Sequence, residues 1–213
     1  MTIWTKSDAA CEQLDAAIGL LCERRFIAAH TLVSAAIELS TDVARANGRK
    51  THEMLFAEAV KISAPERLDE VQRTLRRPQN FAKHADRDHD EAIEVKPELT
   101  ILRLFSALFD LGIAFERQTL RQVIFRAWFT ARDPTLLLAG NEAYLAGCRA
   151  MFGDLSAESL DDALNSLREH VADLEAADIR AQFNQTMAAA DIDWNASARA
   201  WDKLVEAKTD PDR

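Results

Sequence analysis

The chain has 213 residues, 48% of them hydrophobic, enough for one large domain or two small ones with a core that needs neither disulfides nor metals. Only 5 prolines and 6 glycines occur, which leaves long helices uninterrupted and argues against a turn-rich β fold. A formal net charge of −9 argues against broad, non-specific adhesion to a nucleic-acid backbone, which relies on clustered Lys and Arg, while leaving room for a local basic patch.

In chain order, the opening MTIWTKSDAACEQ has no basic segment followed by an apolar core, so no signal peptide is expected. A first helix is expected over 6–24, capped by Ser7 or Asp8, with Leu14, Ile18 and Leu21 at helical spacing. Glu23-Arg24-Arg25 marks a break. A second helix runs from Phe26 to Ala46, where Leu32, Ala36, Leu39 and Val43 step by four, three and four, and Asn47-Gly48 stops it. A third covers 51–62. Pro65 suits the first turn of a fourth, with Ser63 as cap, and this helix is expected to end at Arg76 or Arg77 because Pro78 disfavours helix before it. The segment EAIEVK is ambiguous in pattern, with an extended conformation one of its readings.

Pro97 opens a fifth helix to about Gly112. The apolar run 99–115 is broken by Arg103 and Asp110 and is slightly short for a bilayer, so it reads as a buried core helix and no membrane partner is expected. A sixth helix is expected from Glu116 to Arg132, a seventh from Pro134 to Phe152, and an eighth capped by Ser156. On the eighth, Leu160, Leu164, Leu167, Val171 and Leu174 form a heptad seam, either packed inside the bundle or offered to a protein partner. Helices near 177–190 and 195–207 complete an all-α chain of nine or ten helices. Cys11, Cys22 and Cys148 form no CxxC pair. Cys11 and Cys22 lie about 16 Å apart along one helix, too far to bridge, and free thiols suit a reducing cytoplasm.

The stretch RRPQNFAKHADRDHD, residues 76–90, concentrates polar chemistry. Asp86, Asp88 and Asp90 begin like a calcium loop, but that loop needs glycine at its sixth position and glutamate at its twelfth, where this chain has Glu91 and Pro97. His84 and His89 have no spacing that demands a transition metal, and no metal or other cofactor is expected. In a helix over 78–88, Asn80, His84, Arg87 and Asp88 share a face, and Asp88 is placed to orient the His84 ring. Arg77 lies two turns before His84. Such a pair suits metal-free RNA cleavage: the histidine moves a proton, the arginine stabilises phosphate charge, and the 2′-hydroxyl attacks. Arg73, Arg76, Arg77, Lys83 and Arg87 place five cations in fifteen residues, a candidate RNA- or nucleotide-binding groove.

LDAAIGLLCERRFIAAHTLVSAAIELSTDVARANG, followed by a short helix pair and RRPQNFAKH, resembles the HEPN superfamily (higher eukaryotes and prokaryotes nucleotide-binding) over about residues 8–90. The resemblance implies a four-helix bundle over 1–92, with further helices over 93–213 that either share its core or carry their own. It also implies an Arg-x6-His motif of Arg77 and His84 with Asn80 as orienting group, an endoribonuclease or RNA-processing role, and a homodimer with two motifs facing each other. Pro78 and Gln79 separate Asn80 from Arg77, where family members often have the polar residue directly after the arginine. The contrasting reading is a non-catalytic helical interaction module whose protein partner docks on 160–174.

Other candidates are plainer. His30 reads as a partly buried histidine with one hydrogen bond, and His170 as a surface residue. HEMLF, from His52, lacks the second histidine of a zinc-protease helix. Phe105, Phe109, Phe115, Phe125, Trp128 and Phe129 read as core. There is no GxSxG and no glycine-rich phosphate loop.

Overall fold

The computed structural model describes residues 3–83, 90, 92–136 and 141–176. Within them the protein is all-α: α1 (Lys6–Cys22), α2 (Phe26–Ala46), α3 (His52–Ser63), α4 (Leu68–Lys83), α5 (Pro97–Phe115), α6 (Leu120–Arg132), α7 (Glu142–Phe152) and α8 (Leu160–Ala176), with no strand among the described residues. The helices expected near 177–190 and 195–207 lie outside that range.

The caps explain most of the boundaries. Thr5, not Ser7 or Asp8, starts α1: its hydroxyl accepts from the Asp8 amide while Asp8 accepts from the Thr5 amide, a reciprocal capping box. At the α1–α2 elbow Arg24 takes the left-handed conformation, φ 60°. Its guanidinium offsets that local cost by reaching the start of α8, with 2.7 Å to Asp161 Oδ1 and 3.1 Å to Asn165 Oδ1. Ser63 is not a cap but donates back to the Ala59 carbonyl, and Pro65 opens a short 3-10 turn ahead of α4. α5 runs three residues past Gly112 and stops at Glu116, also left-handed (φ 53°). Arg49 closes that end, donating to the Ile113 carbonyl at 2.8 Å and pairing with Glu116 at 2.7 Å, the charge a helix C-terminus favours.

Later boundaries also differ from expectation. α6 starts at Leu120 rather than Glu116, because Thr119 and Gln122 form its capping box. Pro134 opens only a 3-10 turn, and α7 begins at Glu142, with 137–140 outside the described residues. α8 begins at Leu160 rather than beside Ser156: Asp154 ties Ser156 into a 3-10 turn, and the Ser159 hydroxyl takes the Asp162 amide.

One hydrophobic cluster draws on both sides of residue 92. Leu14, Ile18 and Leu21 of α1 meet Val33 and Ile37 of α2, Leu104 and Leu108 of α5, Phe125 and Trp128 of α6, and Leu164 and Leu167 of α8. Alanines at 10, 17, 29 and 36, all at most 1% exposed, let α1 and α2 lie close. α2 has the length and apolar character of a membrane span, yet it packs on α1, α4 and α5 with nine residues buried. Asp15 docks α6 on α1, accepting from Thr119 at 2.6 Å and Gln122 at 2.9 Å. The heptad seam is occupied from within: Leu164, Leu167 and Val171 belong to the core and Leu160 packs against it, while the side chain of Leu174 lies outside the described part. His170 is half-buried rather than a surface residue, its ring nitrogens against the Ser166 and Met151 carbonyls and its ring on Phe152. All three cysteines are free and buried, and burial pushes the Cys22 thiol up to about 11, away from thiolate chemistry.

Candidate nucleic-acid interface

α4 does not end at Arg76 or Arg77 but continues through Pro78 to Lys83. A proline inside a helix removes one amide donor, here the one that would meet the carbonyl of Thr74. Thr74 is exposed, so water can take its place. Tertiary contacts hold the turn. Pro78 and Gln79 are buried, and the Gln79 amide donates to Glu38 of α2 at 3.2 Å. One turn earlier, His30 of α2 reaches the Leu75 carbonyl at 2.9 Å with Nε2 and the Thr100 hydroxyl at 3.1 Å with Nδ1.

The second partner corrects the expectation of a single hydrogen bond, since His30 is 0% exposed and held at both nitrogens. A carbonyl only accepts, so Nε2 carries the proton and Nδ1 accepts from Thr100. Burial holds the His30 pKa below its ordinary value. The folded protein then refuses a proton that the unfolded chain takes up below about pH 6.5. Stability contributed by neutral His30 is therefore full above that pH and is lost as pH falls toward the depressed folded value, by at most about 1.4 kcal/mol per pH unit. Urea midpoints at pH 7.5 and 5.5 are expected to show that drop in the wild type and a smaller one in His30→Gln. Equal drops would remove His30 as the cause.

With Leu75, Pro78 and Gln79 turned inward, α4 presents Arg73, Arg76, Arg77, Asn80 and Lys83, all exposed, at offsets of three, four, seven and ten residues, which is one helical face. Asp69 and Glu70 occupy the first turn and the cations the later turns, in line with the helix dipole. The Arg77–Asn80 interval that Pro78 and Gln79 interrupt in sequence becomes one turn of the same helix. His84 and Arg87 lie outside the described residues, as do Asp86, Asp88 and His89.

The sequence reading missed a second polar centre beside this face. α3, α4 and α5 line a half-open cleft of about 250 Å3 with His52, Glu53, Phe56, Leu75, Arg103 and Ser106 in its wall. Arg103 is 7% exposed, with one long bond (3.4 Å) to Glu53, and its Nε has no hydrogen-bond partner among the described residues. Asp110, fully buried two turns further along α5, accepts from the His52 amide at 2.6 Å. Burial lowers the Arg103 pKa while Glu53 and Asp110 oppose that shift, and the guanidinium stays charged. Arg76 is close enough to act on the charge of Arg103. The available signal was Arg103 and Asp110 seven apart on an apolar helix, since buried charges need partners.

A larger cavity, about 820 Å3, lies at the α1–α2 elbow, with Leu20, Phe26, Leu32 and Val95 in its wall. Its two arginines are engaged, Arg24 with Asp161 and Arg25 with Glu23 at 3.7 Å, so among the described residues no free charged group converges there. Among the described residues no group of three or more metal-ligating side chains occurs. No protein-family model matches the chain, and searches of curated proteins and of solved structures return no match.

Proposed function

We propose that this is an RNA-directed protein that lays a single-stranded RNA backbone along the outer face of α4. The observation that carries this reading is the alignment of Arg73, Arg76, Arg77 and Lys83 with Asn80 on one exposed helical face of an otherwise acidic protein. The HEPN-like resemblance extends it to metal-independent cleavage. Arg77 stabilises charge on the phosphate oxygens, His84 transfers the proton, Asn80 orients the substrate, and the RNA 2′-hydroxyl is the nucleophile. Arg87 adds a further cation to the same stretch of sequence, and a homodimer sets two such faces against each other.

Two experiments test this. A mixed single-stranded RNA pool with chelator present is expected to be cut by the wild type and not by His84→Ala. Binding without cutting would reduce the function to RNA recognition. In binding titrations across salt, Arg73→Gln/Arg77→Gln is expected to weaken affinity about tenfold or more and to flatten the log–log salt slope by about 1.4, the share of two phosphate contacts on a single strand. An unchanged slope would remove α4 as the interface.

A further inference from the structure

The cavity between α3, α4 and α5 has a charge balance that selects its occupant. Glu53 stands in the wall beside Arg103, 3.4 Å from it, so an anion entering would meet a carboxylate. A cation would meet the Arg103 guanidinium. The fitting occupant is uncharged where it enters. The wall is mostly apolar, with Leu55, Leu75 and Leu99, while Phe56 and Leu102, 45% and 48% exposed, stand at the mouth. Polar groups are few and mixed: the Arg103 guanidinium donates, the Glu53 carboxylate accepts, and the His52 ring and the Ser106 hydroxyl can do either. At about 250 Å3 the space is below the roughly 300 Å3 lower bound of pockets for drug-sized ligands and suits a single small ring system. Apolar flat faces, one edge carrying donors and acceptors, and no net charge together describe a nucleobase.

The location supplies the other half. Leu75 is part of the wall and Arg76, its neighbour on α4, is exposed beside it. A base inside therefore leaves its phosphate at the cationic face. We propose that this cavity takes one unpaired base of the RNA whose backbone runs along α4, with Glu53, Arg103 and Ser106 reading its polar edge and Phe56 covering its face. This rests on the reading of α4 as the backbone-binding surface.

Calorimetric titration of the full chain with the four ribonucleoside monophosphates, the four uncharged nucleosides and ribose 5-phosphate separates the two claims. At least one nucleotide is expected to bind ten times or more tightly than ribose 5-phosphate, to be displaced by a short RNA oligonucleotide, and to weaken five- to tenfold in Glu53→Gln. Ser106→Phe, which fills the cavity from a half-exposed position, is expected to abolish nucleoside binding while leaving the helical circular-dichroism spectrum and the salt slope of RNA binding in place. Equal affinity for ribose 5-phosphate overturns the cavity assignment, as does nucleotide affinity unchanged in both folded variants, and either leaves the α4 reading standing. Nucleosides that bind and are lost in Ser106→Phe uphold the cavity even if the α4 variants leave RNA affinity untouched, the result that would remove the backbone reading instead.

Discussion

Replacing Trp128 with alanine is expected to lower the stability of the protein by about 3–5 kcal/mol, read as a fall in the urea midpoint at constant slope. Trp128 is the largest of the fully buried side chains, 0% exposed, with its ring 5.5 Å from that of Phe125. Its indole Nε1–H donates to the Ala163 carbonyl in α8 at 2.7 Å. Alanine removes the ring from the core and also the donor at a buried carbonyl near the first turn of α8. Trp128→Phe separates the two effects. It keeps most of the apolar volume and is expected to cost about 1–3 kcal/mol, the desolvation penalty of the abandoned carbonyl. If both variants unfold at the wild-type midpoint, the α6–α8 contact is not part of the cooperative core.

The second large effect is expected at Asp110. Asp110→Ala should cost about 3 kcal/mol, because it strips the part-buried His52 amide of its acceptor and leaves the buried Arg103 with Glu53 as its remaining carboxylate. The loss should be concentrated in α3. That helix buries only Leu55 within its own span, and its N-terminal Thr51 cap bond is long, 3.4 Å. The 2.6 Å bond from the His52 amide to Asp110 is the stronger tether of the helix start to α5. Hydrogen exchange over 52–63 should therefore quicken in Asp110→Ala more than exchange in α1 or α2. Asp110→Asn keeps an acceptor for the His52 amide and is expected to protect α3 better than alanine does. Unchanged exchange in α3 would show that Thr51 suffices to hold it.

The α1–α2 hairpin was legible because its signals are local. Of the repeat Leu32, Ala36, Leu39 and Val43 only Ala36 is buried, the other three flanking the inward face of Ala29, Val33, Ile37, Ser40 and Ala44, while both ends of α2 fall where the arginine break and Asn47-Gly48 place them. The all-α class followed from scarce proline and glycine. Pro78 was misread because a local backbone preference was set against contacts that sequence does not display, those of Gln79 with Glu38 and of Leu75 with His30. One unbroken helix carries Arg73, Arg76, Arg77 and Lys83, which the local preference of Pro78 alone divides between a helix end and a separate segment. Thr119, not Glu116, starts α6 because Gln122 answers it three residues on, a pairing visible in the sequence but masked by the apolar run before it. The cavity was hidden for a different reason. Its wall comes from residues 52–56, Leu75 and 99–106, three segments whose meeting depends on the packing of three helices.

The arginine at the α1–α2 elbow has a temporal consequence. Arg24 bonds Asp161 and Asn165 across 137 and 141 residues of chain, and Trp128 waits for Ala163. On a ribosome the first two helices emerge long before the segment that completes their packing. Until about residue 165 has been synthesised, the inner sides of α1 and α6 lack the strand of leucines from α8 that covers them. Contacts of such long sequence separation form late and slowly, and apolar surface left open in the interval invites aggregation or chaperone capture. A chain released before residue 160 should therefore be retained by chaperones or precipitate, while one released after residue 176 has every α8 contact described here available for closing its core.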